Sequence, residues 1–261
     1  MSHKFLIASA TLLAAVSAQA AVSVTGPSFT YSQNFDTLAS TGTTATWVND
    51  STLAGWSLFY INTDVTSYLV GTGSGTSGGF YSYGSAGSTD RALGSLATNG
   101  NVAAGSSEYI ALSLTNTSGA AFDSFTLRYD GEQWRNAGNT TAQSLTVQYG
   151  YGATFAAVTT WNTTTSAFTF TSPVASATAA AVDGNAAGLV GSLGGTVSTT
   201  WAAGDTLWIR WNDVNDAGND HGLAIDNVSL SVSAVPEPST YAMLLAGVAA
   251  IGFVARRRRN V

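Results

Sequence analysis

Across residues 21–234, apolar and polar positions alternate with a period of two, as in strands that bury one face. Phe125, Leu127 and Tyr129 fall on one side of their segment, Thr126 and Arg128 on the other. Leu145-Val147-Tyr149, Ile110-Leu112-Leu114 and Leu207-Ile209-Trp211 repeat the pattern. Residues 28–35, 56–61, 155–160, 167–171 and 223–232 are further candidate strands, and Asn99-Gly100, Asp130-Gly131 and Asp183-Gly184 are turn dipeptides between apolar runs. No stretch here carries an apolar stripe of helical period longer than two turns. The alanine-rich 175–187 allows one short helix, interrupted at Asp183-Gly184. About ten strands without helices predict one all-β domain, an antiparallel two-sheet jelly-roll sandwich. In that arrangement the first and last strands lie together, which brings Phe35-Asp36 near Asp226. Along 223–232 the alternation changes phase at Asp226-Asn227, which predicts a bulge that turns the carboxylate inward.

Two stretches depart from this pattern. The chain opens with Lys4, an apolar run over 5–16 and Ala18-Gln19-Ala20, which predicts a signal peptide, residues 1–20, cut between Ala20 and Ala21 by signal peptidase. At the other end, residues 239–255 carry no charge and are followed by four arginines, 256–259. Seventeen residues as a helix span about 26 Å, the lower limit for a bilayer crossing. The arginines would hold the C-terminus on the cytoplasmic side.

Pro236-Glu237-Pro238, an apolar helix and an arginine cluster, in that order over residues 235–261, resemble the PEP-CTERM sorting signal. The resemblance implies a Gram-negative, exopolysaccharide-producing host. It also implies transient anchoring in the inner membrane, exosortase processing near the motif, and release to the cell surface or extracellular space.

Charge changes the picture once these segments are set aside. Of 9 basic residues, Lys4 and 256–259 leave only Arg91, Arg128, Arg135 and Arg210 in the body, against 14 of 15 acids, a formal charge of −10. That argues against nucleic acid as a partner and suits divalent cations. There is no cysteine, hence no disulfide or thiol chemistry. His221 is the body's one histidine, so multi-histidine metal sites are excluded. Charged residues make up only 9% of the chain, so solubility rests on hydroxyls and amides.

Candidate chemistry is concentrated in three places. The glycine-rich 71–79 matches both G-x-G-x-x-G and G-x-S-x-G in form, but no helix follows, and it reads as a flexible loop. Tyr81, Tyr83, Trp134 and Trp208 offer flat rings, and Glu132, Arg135 and Arg210 offer hydrogen bonds, a combination that suits sugar rings. Each arginine has an acid within a few residues, which also allows a plain structural ion pair. Asp213, Asn215, Asp216, Asp220 and Asp226 are oxygen donors close in sequence, with the glycines and asparagines of a mobile loop, as calcium requires. Their spacing is not that of an EF-hand.

Gly-Leu-Ala-Ile-Asp226-Asn-Val-Ser resembles the last strand of concanavalin-like and MAM-type jelly rolls. Asp-Arg-Ala-Leu-Gly, Gly-Glu-Gln-Trp-Arg and Asp-His-Gly-Leu-Ala-Ile-Asp are similar to body domains that accompany PEP-CTERM tails. No residues are marked as catalytic: Glu108 and Glu132 are the body's only glutamates, and His221 has no evident nucleophile beside it. The expectation is a non-enzymatic exported protein, glycan-binding or structural in exopolysaccharide or biofilm. The alternative is a polysaccharide-active hydrolase or lyase.

Overall fold

The computed structural model describes residues 22–234, with Ala246 and Ile251 besides. The expected leader, 1–20, the motif at 236–238 and the arginine cluster lie outside the described residues, as does the expected helix 239–255 apart from those two positions. Among the described residues no helix is long and apolar enough to cross a membrane.

The body is all-β. Its strands in chain order are β1 (Val22–Val24), β2 (Thr30–Gln33), β3 (Thr44–Thr46), β4 (Trp56–Tyr60), β5 (Thr63–Asp64), β6 (Ser67–Gly71), β7 (Gly79–Tyr83), β8 (Ala92–Leu96), β9 (Ser107–Asn116), β10 (Phe122–Asn136), β11 (Ser144–Tyr151), β12 (Asn162–Thr163), β13 (Phe170–Thr171), β14 (Ala180–Ala181), β15 (Leu189–Trp201), β16 (Thr206–Val214) and β17 (Gly222–Ala234). They form two sheets. The first runs β12-β11-β16-β9-β4-β5, with β1 added on β9 and β13 on β11. The second runs β14-β10-β17-β8-β7-β6-β3, with β15 added on β10 and β2 on β17.

The sheets pack through the faces that the alternation marks. Leu207, Ile209 and Trp211 of β16 and Ile110, Leu112 and Leu114 of β9 meet Phe125, Leu127 and Tyr129 of β10. Trp56 stacks on Trp211 at 5.5 Å, Phe35 meets the edge of Trp56 at 4.8 Å, and Tyr129 meets Trp211 edge-on at 5.6 Å. Such pairs add roughly 0.5–1.5 kcal/mol each beyond the area they bury. The Trp56 indole N–H donates to the Tyr31 hydroxyl at 2.6 Å, which satisfies its polar edge inside the core.

Several expectations need correction. The sheets are not wholly antiparallel: β1 pairs with β9 and β6 with β7 in parallel. The second parallel pair needs a long return, and residues 72–78 supply it. Asp130-Gly131 is not a turn but lies within β10, where the register slips between Tyr129 and Gly131. Gly131 is there for contact: a Cβ would sit 2.3 Å from the Phe170 ring, so the ring lies directly on the backbone. Residues 155–160 form no strand but hold a 3-10 turn, Phe155–Ala157, capped by the Thr154 hydroxyl. In 175–187 there is no helix, only the two-residue β14 and a turn.

The first-to-last neighbourhood holds for β2, which pairs antiparallel with β17. The expected bulge is present at Asn227, with φ of 50°. Its effect is opposite to the expected one. Leu223, Ile225, Val228, Leu230 and Val232 all join one core, so the bulge keeps them on the same face. Asp226 lies with Ala224 on the other face of the sheet.

Candidate functional site

One end of the sandwich gathers the β6–β7, β8–β9, β10–β11 and β16–β17 connections around a cavity of about 240 Å³. Thr76, Thr98, Asn99, Arg135, Asn215, Asn219 and Asp220 supply its polar lining. Asp220 is buried. Its Oδ1 accepts from the Gln143 amide at 2.7 Å and the Asp216 backbone N–H at 3.0 Å, while Oδ2 has no partner. Burial is the main reason that its carboxyl is pushed up to about 7.

Two further carboxyls lie deeper. Glu108 and Asp213 stand directly opposite each other on β9 and β16 and are both buried. Asp213 Oδ2 accepts from Ser95 at 2.6 Å across the sheets, and Glu108 Oε2 accepts from the Asn101 amide. Glu108 Oε1 has no partner. Both are raised well above the carboxylate range, first by burial and then, for Glu108, by the charge of Asp213. Like carboxyls facing across a ladder cannot both ionise without cost.

His221, next to Asp220 in the chain, is buried. Its Nδ1 accepts the Ala137 N–H at 3.1 Å, which assigns the proton to Nε2, and burial lowers its basicity. This imidazole is held as a neutral packing group.

The five expected cation ligands come together only in part: Asn215 and Asp220 line one cavity, the Asp216 N–H bonds to Asp220, and the charges of Asp216 and Asp220 act on Asp213, whereas Asp226 lies apart. Asp213 is interior, Asp220 lines the cavity, Asp216 is exposed, and Asn215 donates to Asn99 and to the Val102 carbonyl. Asp226 is carried to the outer face of the second sheet by the bulge. There the charges of Glu132, Asp90 and Asp36 act on it, and burial above all pushes it up to about 8. Among the described residues no three carboxylate or histidine groups are placed to hold a metal ion.

The expected aromatic face is likewise divided. Tyr81, Tyr83 and Trp134 form a ladder, with near-parallel rings 4.6 Å and 6.1 Å apart. The ladder is buried on the outer face of the second sheet rather than displayed. Residues 72–78 close over it, which corrects the reading of a flexible loop. Gly73, at φ of +82°, sits so close to the Trp134 carbonyl that a Cβ would fall 1.7 Å from that oxygen. Tyr81 donates to Ser77 O at 2.5 Å, and Arg135 Nη1 donates to Gly73 O and Ser74 O at 3.2 Å each. The Trp134 indole donates to Glu132 at 2.8 Å, and burial pushes that carboxyl up to about 7.

Trp208 and Arg210 belong to the first sheet. Trp208 is buried under Phe155 and donates to Gly152 O at 3.0 Å. The Arg210 guanidinium lies between the Tyr109 ring at 4.1 Å and the Trp161 ring at 3.9 Å, and donates to Gln148. The expected arginine–carboxylate pairs are replaced by bonds to neutral oxygens: Arg91 to Ser82 and Gly71, and Arg128 to Ser192 O. These arginines hold backbone in place across strands.

Sequence reasoning missed Ser95, Asn101 and Thr76, and named Glu108 only as one of two glutamates without placing it at the site. For Glu108 a signal was present: it extends the inward phase of Ile110-Leu112-Leu114, as Asp213 extends that of Leu207-Ile209-Trp211. Two-residue periodicity alone places both carboxyls inside.

No curated protein matches the chain. A solved structure titled "Catalytic domain of GH87 alpha-1,3-glucanase in complex with nigerose" is similar at 16% identity and a TM-score of 0.22, over 58% of this chain and 23% of that one. Residues 234–259 match the PEP-CTERM protein-sorting motif, so the chain carries that motif, which implies export and membrane-anchored sorting by an exosortase in a Gram-negative bacterium.

Proposed function

We propose that the chain is an exported cell-surface or extracellular-matrix protein whose body is non-enzymatic, binding glycan or acting structurally in exopolysaccharide. The observation that carries this reading is the sorting motif at 234–259. It starts where the body ends: Ala234, the last residue of β17, is still paired with Phe122. The domain delivered by the motif is therefore the sandwich itself. Signal peptidase, an exosortase and transiently the inner membrane are its processing partners. We read the sandwich as a jelly roll, supported by β2 lying beside β17.

Within the body, the cavity at the loop end is the place for a glycan. Hydroxyls, amides and one guanidinium line it, and the aromatic ladder is spent on packing. A glycan array probed with the purified protein tests this reading. Binding to one sugar class, lost when bulk is placed on the cavity rim, supports it; binding to no sugar leaves only the structural role.

The alternative, a polysaccharide hydrolase or lyase, is favoured by one observation. Asp220 lines the cavity with its carboxyl pushed up to about 7, in the range of a general acid. Release of reducing ends or of unsaturated sugars from exopolysaccharide would establish that reading in place of the first.

A further inference from the structure

We infer that the cavity is a subsite for a single carboxylate-bearing sugar ring, a uronic acid, with Arg135 holding the carboxylate. This rests on the glycan-binding reading of the same cavity and goes beyond it by naming the sugar class.

The first support is the arginine. Arg135 is only 9% exposed, lines the cavity and donates through Nη1 to two backbone carbonyls. Among the described residues no carboxylate is within salt-bridge distance of it. A buried cation without a counter-charge is costly, and a guanidinium fork matches a carboxylate in two parallel bonds.

The second support is the count of charges. Arg135 is the one cation in the lining, so it balances a monoanion. A phosphate, with close to two charges, would leave an excess facing Asp220 and the Glu108–Asp213 pair behind it.

The third support is the remaining lining. Thr76, Thr98, Asn99, Asn215 and Asn219 present hydroxyls and amides, as sugar hydroxyls require. Asp220 is 5% exposed, lines the cavity and has Oδ2 unpartnered, which leaves an oxygen for a sugar hydroxyl to donate to. At about 240 Å³ the cavity is smaller than the roughly 300–1,000 Å³ of pockets for drug-sized ligands, and takes one ring rather than an oligosaccharide.

The test uses the full chain purified in mild detergent and titrated calorimetrically with glucuronic acid, its neutral methyl ester, and glucose. Glucuronic acid should bind at least about tenfold more tightly than either neutral sugar, the scale of one charge-assisted bond. Arg135→Gln should erase that margin. Thr76→Trp, on the exposed rim, should weaken all three while leaving the melting temperature unchanged. If Arg135→Gln fails to fold, the ester comparison and the rim variant still decide the matter. Equal affinity for acid, ester and glucose would overturn the uronate assignment and leave the glycan reading standing. A folded Arg135→Gln protein that keeps the margin would overturn it too. No binding of any of the three would overturn both.

Discussion

Replacing Asp226 by asparagine should make the body more stable at every pH above 3.8, by about 2 kcal/mol at pH 5 and by about 4 kcal/mol more at pH 8. In the unfolded chain this carboxyl ionises near its ordinary value of 3.8, whereas in the fold burial and the charges of Glu132, Asp90 and Asp36 hold it protonated up to about 8. Below pH 3.8 both states are protonated and the contribution to stability is fully present. Between there and pH 8 the unfolded state has lost its proton and the fold keeps it, so stability falls by about 1.4 kcal/mol per pH unit. From pH 5 to pH 8 that amounts to about 4 kcal/mol from this one group, against a total of about 5–15 kcal/mol for a typical domain. Asparagine keeps the shape and can still accept the Asn227 backbone N–H, but it does not titrate. The assay is urea unfolding of residues 21–234, which hold both sheets and their shared core, at four pH values from 5 to 8. The buried Trp56 and Trp211 provide the fluorescence signal. Wild-type stability should fall with pH more steeply than that of the variant, by about 1.4 kcal/mol per unit. Parallel slopes would show that Asp226 is ionised in the fold and refute the reasoning.

Trp211→Ala should cost about 3–5 kcal/mol, because it empties the centre of the Trp56, Tyr129 and Trp211 cluster; chemical denaturation reads this, and a cost below about 1 kcal/mol would mean the cluster is not central to the core. Gly73→Ala forces a Cβ onto the Trp134 carbonyl at positive φ, so the 72–78 segment should be cut faster in limited proteolysis, at a stability cost of at least about 1–3 kcal/mol; an unchanged digestion pattern would contradict the closed loop. Calcium should leave the melting temperature where chelator leaves it, since no three carboxylate or histidine groups converge among the described residues; a rise with calcium that chelator reverses would establish a cation site. Changing Pro236, Glu237 and Pro238 together to alanine should leave the chain in the inner membrane on fractionation, and normal release would break the link between motif and sorting.

Much of the scaffold is legible in the residues, because period-two alternation reports directly which face is buried. The inward sets on β9, β10, β11 and β16 follow from it. What failed were places where backbone contact overrides local preference. Asp130-Gly131 has the composition of a turn, yet β10 runs through it because Phe170 needs a position without a side chain. The glycines of 71–79 look like slack, but Gly73 lets a loop close on the Trp134 backbone. Neither partner is near in sequence, so no local pattern announces them. The site was half legible. Asp213 and Asp220 stand out in the sequence with Asn215, Asp216 and Asp226, and Asn215 and Asp216 are beside Asp220 in the fold. Asp226 is not, and Glu108 and Ser95 are brought in by pairing across β9 and between the sheets. The aromatics were seen as plates for a ligand because flat rings near polar groups look alike whether they are displayed or stacked under a loop.

We propose that the exported body holds exopolysaccharide without cutting it. Co-sedimentation of the purified chain with polysaccharide from the producing cells, followed by assay of the supernatant for reducing ends and unsaturated sugars, tests this in one experiment. The protein should pellet with the polysaccharide, Thr76→Trp should not, and neither product should accumulate. A protein that stays in solution, or a steady release of either product, would contradict it.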